Sequence, residues 1–310
     1  MKLISVVTSC YNEEGNIPEL YQQILDVFQL LQDRYQYEII IADNDSTDGT
    51  PRILREIAAR DKNFKVILNS RNFGPTRSGY NAFMQAHGDA VVTMASDLQN
   101  PPAMIQEFIE KWEQGYKIIM TVKSSSEESR LVYALRTLYY EFLRKLSDVE
   151  LVSHFTGFGL YDRQVVEILR SLEDPYPYFR GLIADIGFEP AIIEYTQPAR
   201  KYGKSKSSIL YLYEEAMVGI TSYTKIPLRL ATMIGFMMAA ISFLIGMGYL
   251  IYKLLFWNSF SVGIAPVAIG LFFFSAVQLI FLGLLGEYIS MIYIHVIKHP
   301  LVYEKERLNF

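Results

Sequence analysis

A single cysteine, Cys10, is all the thiol this chain carries, so an internal disulfide is excluded and a reducing compartment is allowed. Cys10 closes an apolar run and reads as an inert buried thiol, not a nucleophile. Net charge is only −4, which removes any bulk electrostatic attraction to nucleic acid. Glycine-rich phosphate cradles are missing too. After the first apolar run the chain reads Thr8-Ser9-Cys10-Tyr11-Asn12-Glu13-Glu14, with no glycine before Gly15. The Gly-x-Gly-x-x-Gly turn of a dinucleotide fold is therefore absent, as is any Gly-x-x-x-x-Gly-Lys-Ser/Thr loop. Phosphate charge would have to be met by a metal ion or by basic side chains. The opening Met1 to Val7 is too short for a signal-peptide core and lacks a small-residue cleavage site, so the N-terminal region is expected to stay in the cytoplasm.

Charge is absent from two long stretches. Hydrophobic residues make up 51% of the 310 residues and mean hydropathy is +0.15, high for a soluble enzyme, with the excess after Pro227. Leu230 to Tyr252 holds no charged residue and as a helix spans about 34 Å, enough for a hydrocarbon core of ~30 Å. Ser261 to Gly286 is a second such run. The connection from Lys253 to Phe260 has Tyr252 and Trp257 beside it, as in an aromatic belt. Arg200, Lys201, Lys204, Lys206, Lys225 and Arg229 precede the first run, and Lys298, Lys305 and Arg307 follow the second. The loop between carries only Lys253, so a two-span hairpin with the catalytic region and both termini on the cytoplasmic face is expected. Ile209, Leu212, Tyr213, Ala216, Met217, Ile220 and Tyr223 recur at helical spacing. They predict an amphipathic helix ending at Pro227, lying in the interface or packing on the catalytic domain. The resulting division is 1–206 catalytic, 207–227 interfacial helix, 228–292 two spans and 293–310 cytoplasmic tail.

The first ~120 residues alternate strand-like apolar runs with helical periodicity. Leu3 to Thr8, Glu38 to Ala42, Val66 to Leu68, Ala90 to Met94 and Lys117 to Val122 read as strands. Ile17 to Leu31 follows a 3.6 period with Asn16 as candidate cap, and Thr50-Pro51 starts a second helix. Unbroken apolar strands separated by helices argue for an α/β fold with a largely parallel sheet covered on both faces. Sites in such sheets form at the carboxyl ends of strands. Polar clusters fall there: Tyr11-Asn12-Glu13, Asp43-Asn44-Asp45 and Asp97-Leu98-Gln99.

Several runs carry a resemblance. They are Val6 to Glu14 with its Tyr-Asn-Glu-Glu turn, Ser46-Thr47-Asp48-Gly49-Thr50, Arg71-Asn72-Phe73-Gly74, and Asp97-Leu98-Gln99-Asn100-Pro101-Pro102. Arg200 with Gly203-Lys204-Ser205-Lys206, Leu228 to Thr232 and Gly286 to Ile289 complete the set. In this order, with the C-terminal hairpin, the chain resembles inverting glycosyltransferases of the GT-A fold, family 2. It looks most like the polyprenyl-phosphate branch of dolichyl-phosphate mannose synthases and bactoprenol glucosyltransferases. The resemblance implies transfer of a hexose from a nucleotide-sugar, with a UDP-sugar favoured, to polyprenyl phosphate at a membrane. It implies that Ser9, Tyr11, Glu13, Asp43 and Asn72 line the nucleotide pocket. It further implies that Asp97 and Gln99 hold Mg²⁺ or Mn²⁺, that Asp97 is the catalytic carboxylate, and that Arg200, Ser205 and Lys206 bind a phosphate. A homo-oligomer is compatible with it, and no nucleic acid partner is expected.

Three positions depart from the family pattern. The first acidic position of the Asp-x-Asp metal region is Ala95, the acidic segment before Leu160 reads Gly157-Phe158-Gly159, and the strand-end proline is Ser9. One metal carboxylate and a general base are thus missing. A phosphate monoester, with a second pKa near ~6, is already ionised at neutral pH and needs no base, whereas a sugar hydroxyl does. The missing base therefore favours a phosphate acceptor. Two alternatives stay open: a degenerate, non-catalytic membrane homologue, motivated by Ala95 and Gly157, and a polysaccharide synthase. The latter is disfavoured because neither Trp112 nor Trp257 follows an arginine, leaving no Gln-x-x-Arg-Trp segment.

Overall fold

Alternate residues of the apolar runs go to opposite faces of one sheet, as a period of two requires. The computed structural model describes residues 1–125, 152, 155–202, 217–222, 224–256, 264–297 and 299–310. Eight strands form the sheet: β1 (Lys2–Cys10), β2 (Tyr35–Asp43), β3 (Phe64–Asn69), β4 (Ala90–Thr93), β5 (Ile118–Ser125), β6 (Phe155–Asp162), β7 (Pro190–Thr196) and β8 (Glu304–Leu308). Their order is β7-β5-β6-β4-β1-β2-β3-β8. Ile4, Val6, Ile39, Ile41, Val66 and Val92 point to one face. There they pack on α1 (Ile17–Leu31), α2 (Thr50–Arg60) and α4 (Met104–Glu113). Val7, Ile40, Ala42, Ile67 and Val91 point to the other. They meet α3 (Pro75–Met84), α5 (Arg163–Leu172) and α6 (Phe179–Asp185).

The parallel arrangement expected from the unbroken apolar runs holds across β4-β1-β2-β3 and between β5 and β7. Strand β6 was not among the expected elements. It runs antiparallel between β4 and β5. Gly159 lets it approach, because a Cβ there would stand 2.1 Å from the Ile119 carbonyl oxygen. Helix α2 opens at Thr50 with proline in its first turn, as read from the sequence. Asn16 precedes α1 but makes no side-chain cap; its Nδ2 turns back to donate to Glu13 Oε2 at 2.5 Å.

Two long apolar helices follow, α7 (Ile226–Leu255) and α8 (Ile264–Ile297). Both are long and apolar enough to cross a membrane, with mean hydropathy 2.1 over an 18-residue stretch of Ile226–Leu255 and 2.2 over one of Ile269–Ile297. Pro227 lies in the first turn of α7, where its missing N–H costs nothing. Of the amphipathic segment 207–227, residues 207–216 and 223 lie outside the described residues. Residues 217–222 are helical, and Val218 packs against Tyr178 of the sheet domain with Met291 of α8 beside it. Helix α8 continues well past Gly286, where the charge-free run ends. Tyr288 donates to the Thr224 carbonyl, just before α7, at 2.9 Å, and the last turns touch the domain, with His295 Nε2 3.4 Å from Asp174.

The segment after α8, expected as a tail, supplies β8, which pairs antiparallel with the outer edge of β3. Asn309 locks it in place by donating to the carbonyls of Ala58, Asp61 and Phe64 at 2.7, 3.1 and 2.8 Å. Its charged sequence, Glu304-Lys305-Glu306-Arg307-Leu308, suits an outermost strand that must not recruit another chain.

Candidate active site

From β1 the chain winds outward through β2 and β3, then returns to place β4 on the other side of β1. The crevice at the carboxyl ends of β1 and β4 is therefore the topological switch point, where open α/β sheets bind ligands. Ser9 and Tyr11 come from the β1 end, Asp43 from β2 and Asp97 from the turn after β4. The β1 and β2 turns are stitched together. Asn12, at φ 55°, donates its N–H to Ser46 Oγ, and its Oδ1 accepts from Thr47 N at 2.7 Å. Glu13 donates its N–H to Thr50 Oγ1, and Glu14 accepts from Gly49 N.

Asp43 is buried, accepting from Ser46 N at 3.1 Å and from the Cys10 thiol at 3.7 Å. Burial pushes its carboxyl above the ordinary value, while the Ser46 and Cys10 hydrogen bonds oppose the shift. Burial also pushes the Cys10 thiol up, with Asp43 adding to the effect, which makes Cys10 the inert group expected. Asn72 takes a different place from the others. Its Oδ1 accepts from Asn44 Nδ2 at 2.8 Å and Gly74 N at 2.9 Å, shaping the turn between β3 and α3.

Asp97 is the centre of the β4 turn. One carboxylate oxygen accepts from Gln99 N at 3.1 Å; the other meets Arg200 Nη2 at 2.5 Å. The turn is set by residues the sequence reading passed over. Asn100 accepts from Ala95 N at 2.7 Å and donates to Tyr195 OH at 2.9 Å, while Ser96 Oγ donates to the Ser9 carbonyl. Asn100 stands directly before Pro101-Pro102, a turn signal that pointed to it. Gln99 Nε2 donates to the Pro198 carbonyl at 3.3 Å. The segment carrying Pro198 and Arg200 then passes to α1, where Lys201 pairs with Glu19 at 2.8 Å and Tyr202 sits against Gly15. Arg200 is thus brought to Asp97. Ser205 and Lys206, named with it, lie outside the described residues.

Beside this turn, Thr93 Oγ1 donates to the Gly157 carbonyl, which also accepts from Tyr161 OH at 3.1 Å. Gly157 has φ 91°, backbone that side-chain-bearing residues avoid.

The family model described as glycosyl transferase family 2 matches residues 5–169, more than half of the chain, from within β1 to the end of β6 and into α5. The chain belongs to glycosyl transferase family 2. Relatives match along almost its whole length. The prophage-derived bactoprenol glucosyl transferase of Shigella flexneri is 34% identical over 298 residues, 96% of each chain. The bactoprenol glucosyl transferase of Shigella phage SfV is 33% identical over 308 residues, 98% of this chain and 99% of its own. Among solved structures, glucosyl-3-phosphoglycerate synthase from Mycobacterium tuberculosis, in complex with Mn²⁺, UDP and phosphoglyceric acid, is 21% identical, with TM-score 0.42 over 71% of this chain and 76% of its own.

This family 2 glycosyltransferase has, among its described residues, no group of three or more His, Cys, Asp or Glu that could hold a metal alone. What Asp97 and Gln99 offer is a carboxylate and an amide oxygen. Such a hard, incomplete donor set fits Mg²⁺ or Mn²⁺ when substrate phosphates and water supply the remaining ligands. Arg200 occupies Oδ2 of Asp97, and Oδ1 accepts from Gln99 N.

Proposed function

We propose that this glycosyltransferase moves a hexose from a nucleotide-sugar, a UDP-sugar being favoured, to the phosphate of a polyprenyl lipid at the cytoplasmic face of the cell membrane. One observation carries the reading: Asp97 and Arg200 meet at the switch point of a domain whose outermost strand is the continuation of a 34-residue apolar helix. The full-length kinship with bactoprenol glucosyl transferases supports the acceptor.

Asp43 and the β1 turn residues Ser9, Tyr11 and Glu13 are assigned to the nucleoside. Asp97 and Gln99 are assigned to a divalent ion, which when bound neutralises charge on the departing diphosphate. Arg200, which pairs with Asp97, is assigned to a phosphate oxygen, with Ser205 and Lys206 as partners. An ionised acceptor oxygen attacks the anomeric carbon from the face opposite the diphosphate. The bond to the diphosphate breaks and configuration inverts. No proton has to leave the acceptor, in keeping with glycine at position 157. The basic residues flanking both apolar helices, against a lone Lys253 between them, support cytoplasmic termini.

Purified full-length protein given polyprenyl phosphate, a divalent ion and a panel of labelled nucleotide-sugars is expected to form an organic-extractable, mild-acid-labile labelled lipid. Folded protein that makes no such lipid from any donor would sink the proposal.

A further inference from the structure

The Arg71-Asn72-Phe73-Gly74 run and the start of α3 each contribute one guanidinium group that the transfer chemistry does not use. Arg71 lies over the Phe73 ring at 4.0 Å from its centroid, and Arg77, in the first turn of α3, lies over the same ring at 5.4 Å. Neither forms an ion pair among the described residues. Among the described residues Arg71 donates to the Asn72 carbonyl alone, and it is exposed. Arg77 Nη2 donates to the Pro300 carbonyl at 2.9 Å, but its Nε is buried without an acceptor. Burial and the neighbouring Arg71 charge both depress the Arg77 pKa. Two like charges held on one ring, one half-satisfied, lack a counterion. Pro300 lies three residues past the end of α8, and Tyr303, half-exposed, continues the aromatic patch at 6.1 Å from Phe73.

We propose that Arg71 and Arg77, on their Phe73 platform, form a second anion site that binds the phosphate of a membrane lipid where α8 returns to the catalytic domain. It rests on the membrane placement given above and is separate from the Asp97–Arg200 pair. Guanidinium forks match phosphate oxygens, and an aromatic patch beside a helix end suits the headgroup region.

The test uses full-length protein in detergent micelles, with native mass spectrometry counting bound lipid. The probes are dioleoyl phosphatidic acid, dioleoyl phosphatidylcholine and inorganic phosphate. Wild type is expected to retain phosphatidic acid in preference to phosphatidylcholine. Retention should fall about tenfold in Arg71→Gln, and by a similar factor in Arg77→Lys, which keeps the charge and loses the fork. Asp97→Asn protein should retain the lipid at wild-type level, so this result stands or falls independently of sugar transfer. Equal retention by wild type and both arginine variants would overturn the proposal. So would displacement of the lipid by inorganic phosphate at equal concentration, which would make the site one for free phosphate.

Discussion

The two ends of the same strands treat a buried carboxylate in opposite ways. At the amino ends, Glu38 is consumed. Ser5 Oγ and His87 N donate to its Oε1 at 2.5 and 2.6 Å, Lys65 Nζ reaches its Oε2 at 2.6 Å, and Gly88 N donates back to Ser5. All these partners belong to β1, β2, β3 or the turn entering β4. At the carboxyl ends Asp97 is nearly as buried, 7% exposed against 3% for Glu38. Its charge is met by one side chain, Arg200, from a distant segment. A carboxylate held by fixed groups of the sheet belongs to the fold. One held by a single movable cation can be released to a ligand.

The sharpest test of that contrast is Asp97→Asn. Transfer should drop about 10²–10³-fold, the scale of losing one major electrostatic stabiliser, with little change in melting temperature. Initial rates with labelled donor and a thermal melt measure both, and a large loss of stability would erase the distinction. Glu38→Gln should do the reverse. It strands Lys65 and costs about 3 kcal/mol in unfolding free energy, with turnover of the folded fraction unchanged. Its pH signature has a definite sign. Burial disfavours the Glu38 carboxylate, but Lys65, Ser5 and His87 N outweigh it and hold the pKa below the ordinary 4.5. The stabilisation is therefore complete above pH 4.5 and is lost as pH falls through the depressed folded value. Unfolding of Glu38→Gln should lack that component.

A smaller effect is expected at the sheet edge. Asn309→Ala removes three hydrogen bonds to main-chain carbonyls and should cost about 1–3 kcal/mol, read from the same melts. Smallest of all is Arg55→Ala, which breaks an exposed pair with Glu306 and should change stability by no more than ~0.5 kcal/mol.

Local pattern made β1 to β5 and the starts of α1 and α2 legible, because each is an uninterrupted apolar run or a 3.6 period closed by turn residues. Strand β6 was not, since Gly157 and Gly159 break its apolar pattern and its place depends on backbone approach to β5. Strand β7 did carry a signal: Ala191, Ile193 and Tyr195 alternate inward. Strand β8 carried none, because a charged pentapeptide becomes a strand only when an open edge more than two hundred residues earlier accepts it. At the site, Asp97 and Asp43 were legible from their position at strand ends, and Ser9 only through the family resemblance. Of the residues that shape the Asp97 turn, Asn100 was marked only by the Pro101-Pro102 that follows it, and Ser96 acts through a main-chain partner that no spacing reveals. The engagement of Asp97 by Arg200 needed the fold, since its two halves meet only when the last segment of the domain crosses the sheet.

The return of the chain into β8 has a mechanical consequence. A domain hung from a membrane by one linker can swivel, and its cleft may face any direction. Here the apolar hairpin is fastened to the domain through residues 217–222 on one leg and through β8 on the other. Only six residues separate Ile297 from Glu304, a reach of at most about 25 Å. Under the membrane placement proposed above, the two attachments together restrict the height and tilt that the domain can take at the bilayer.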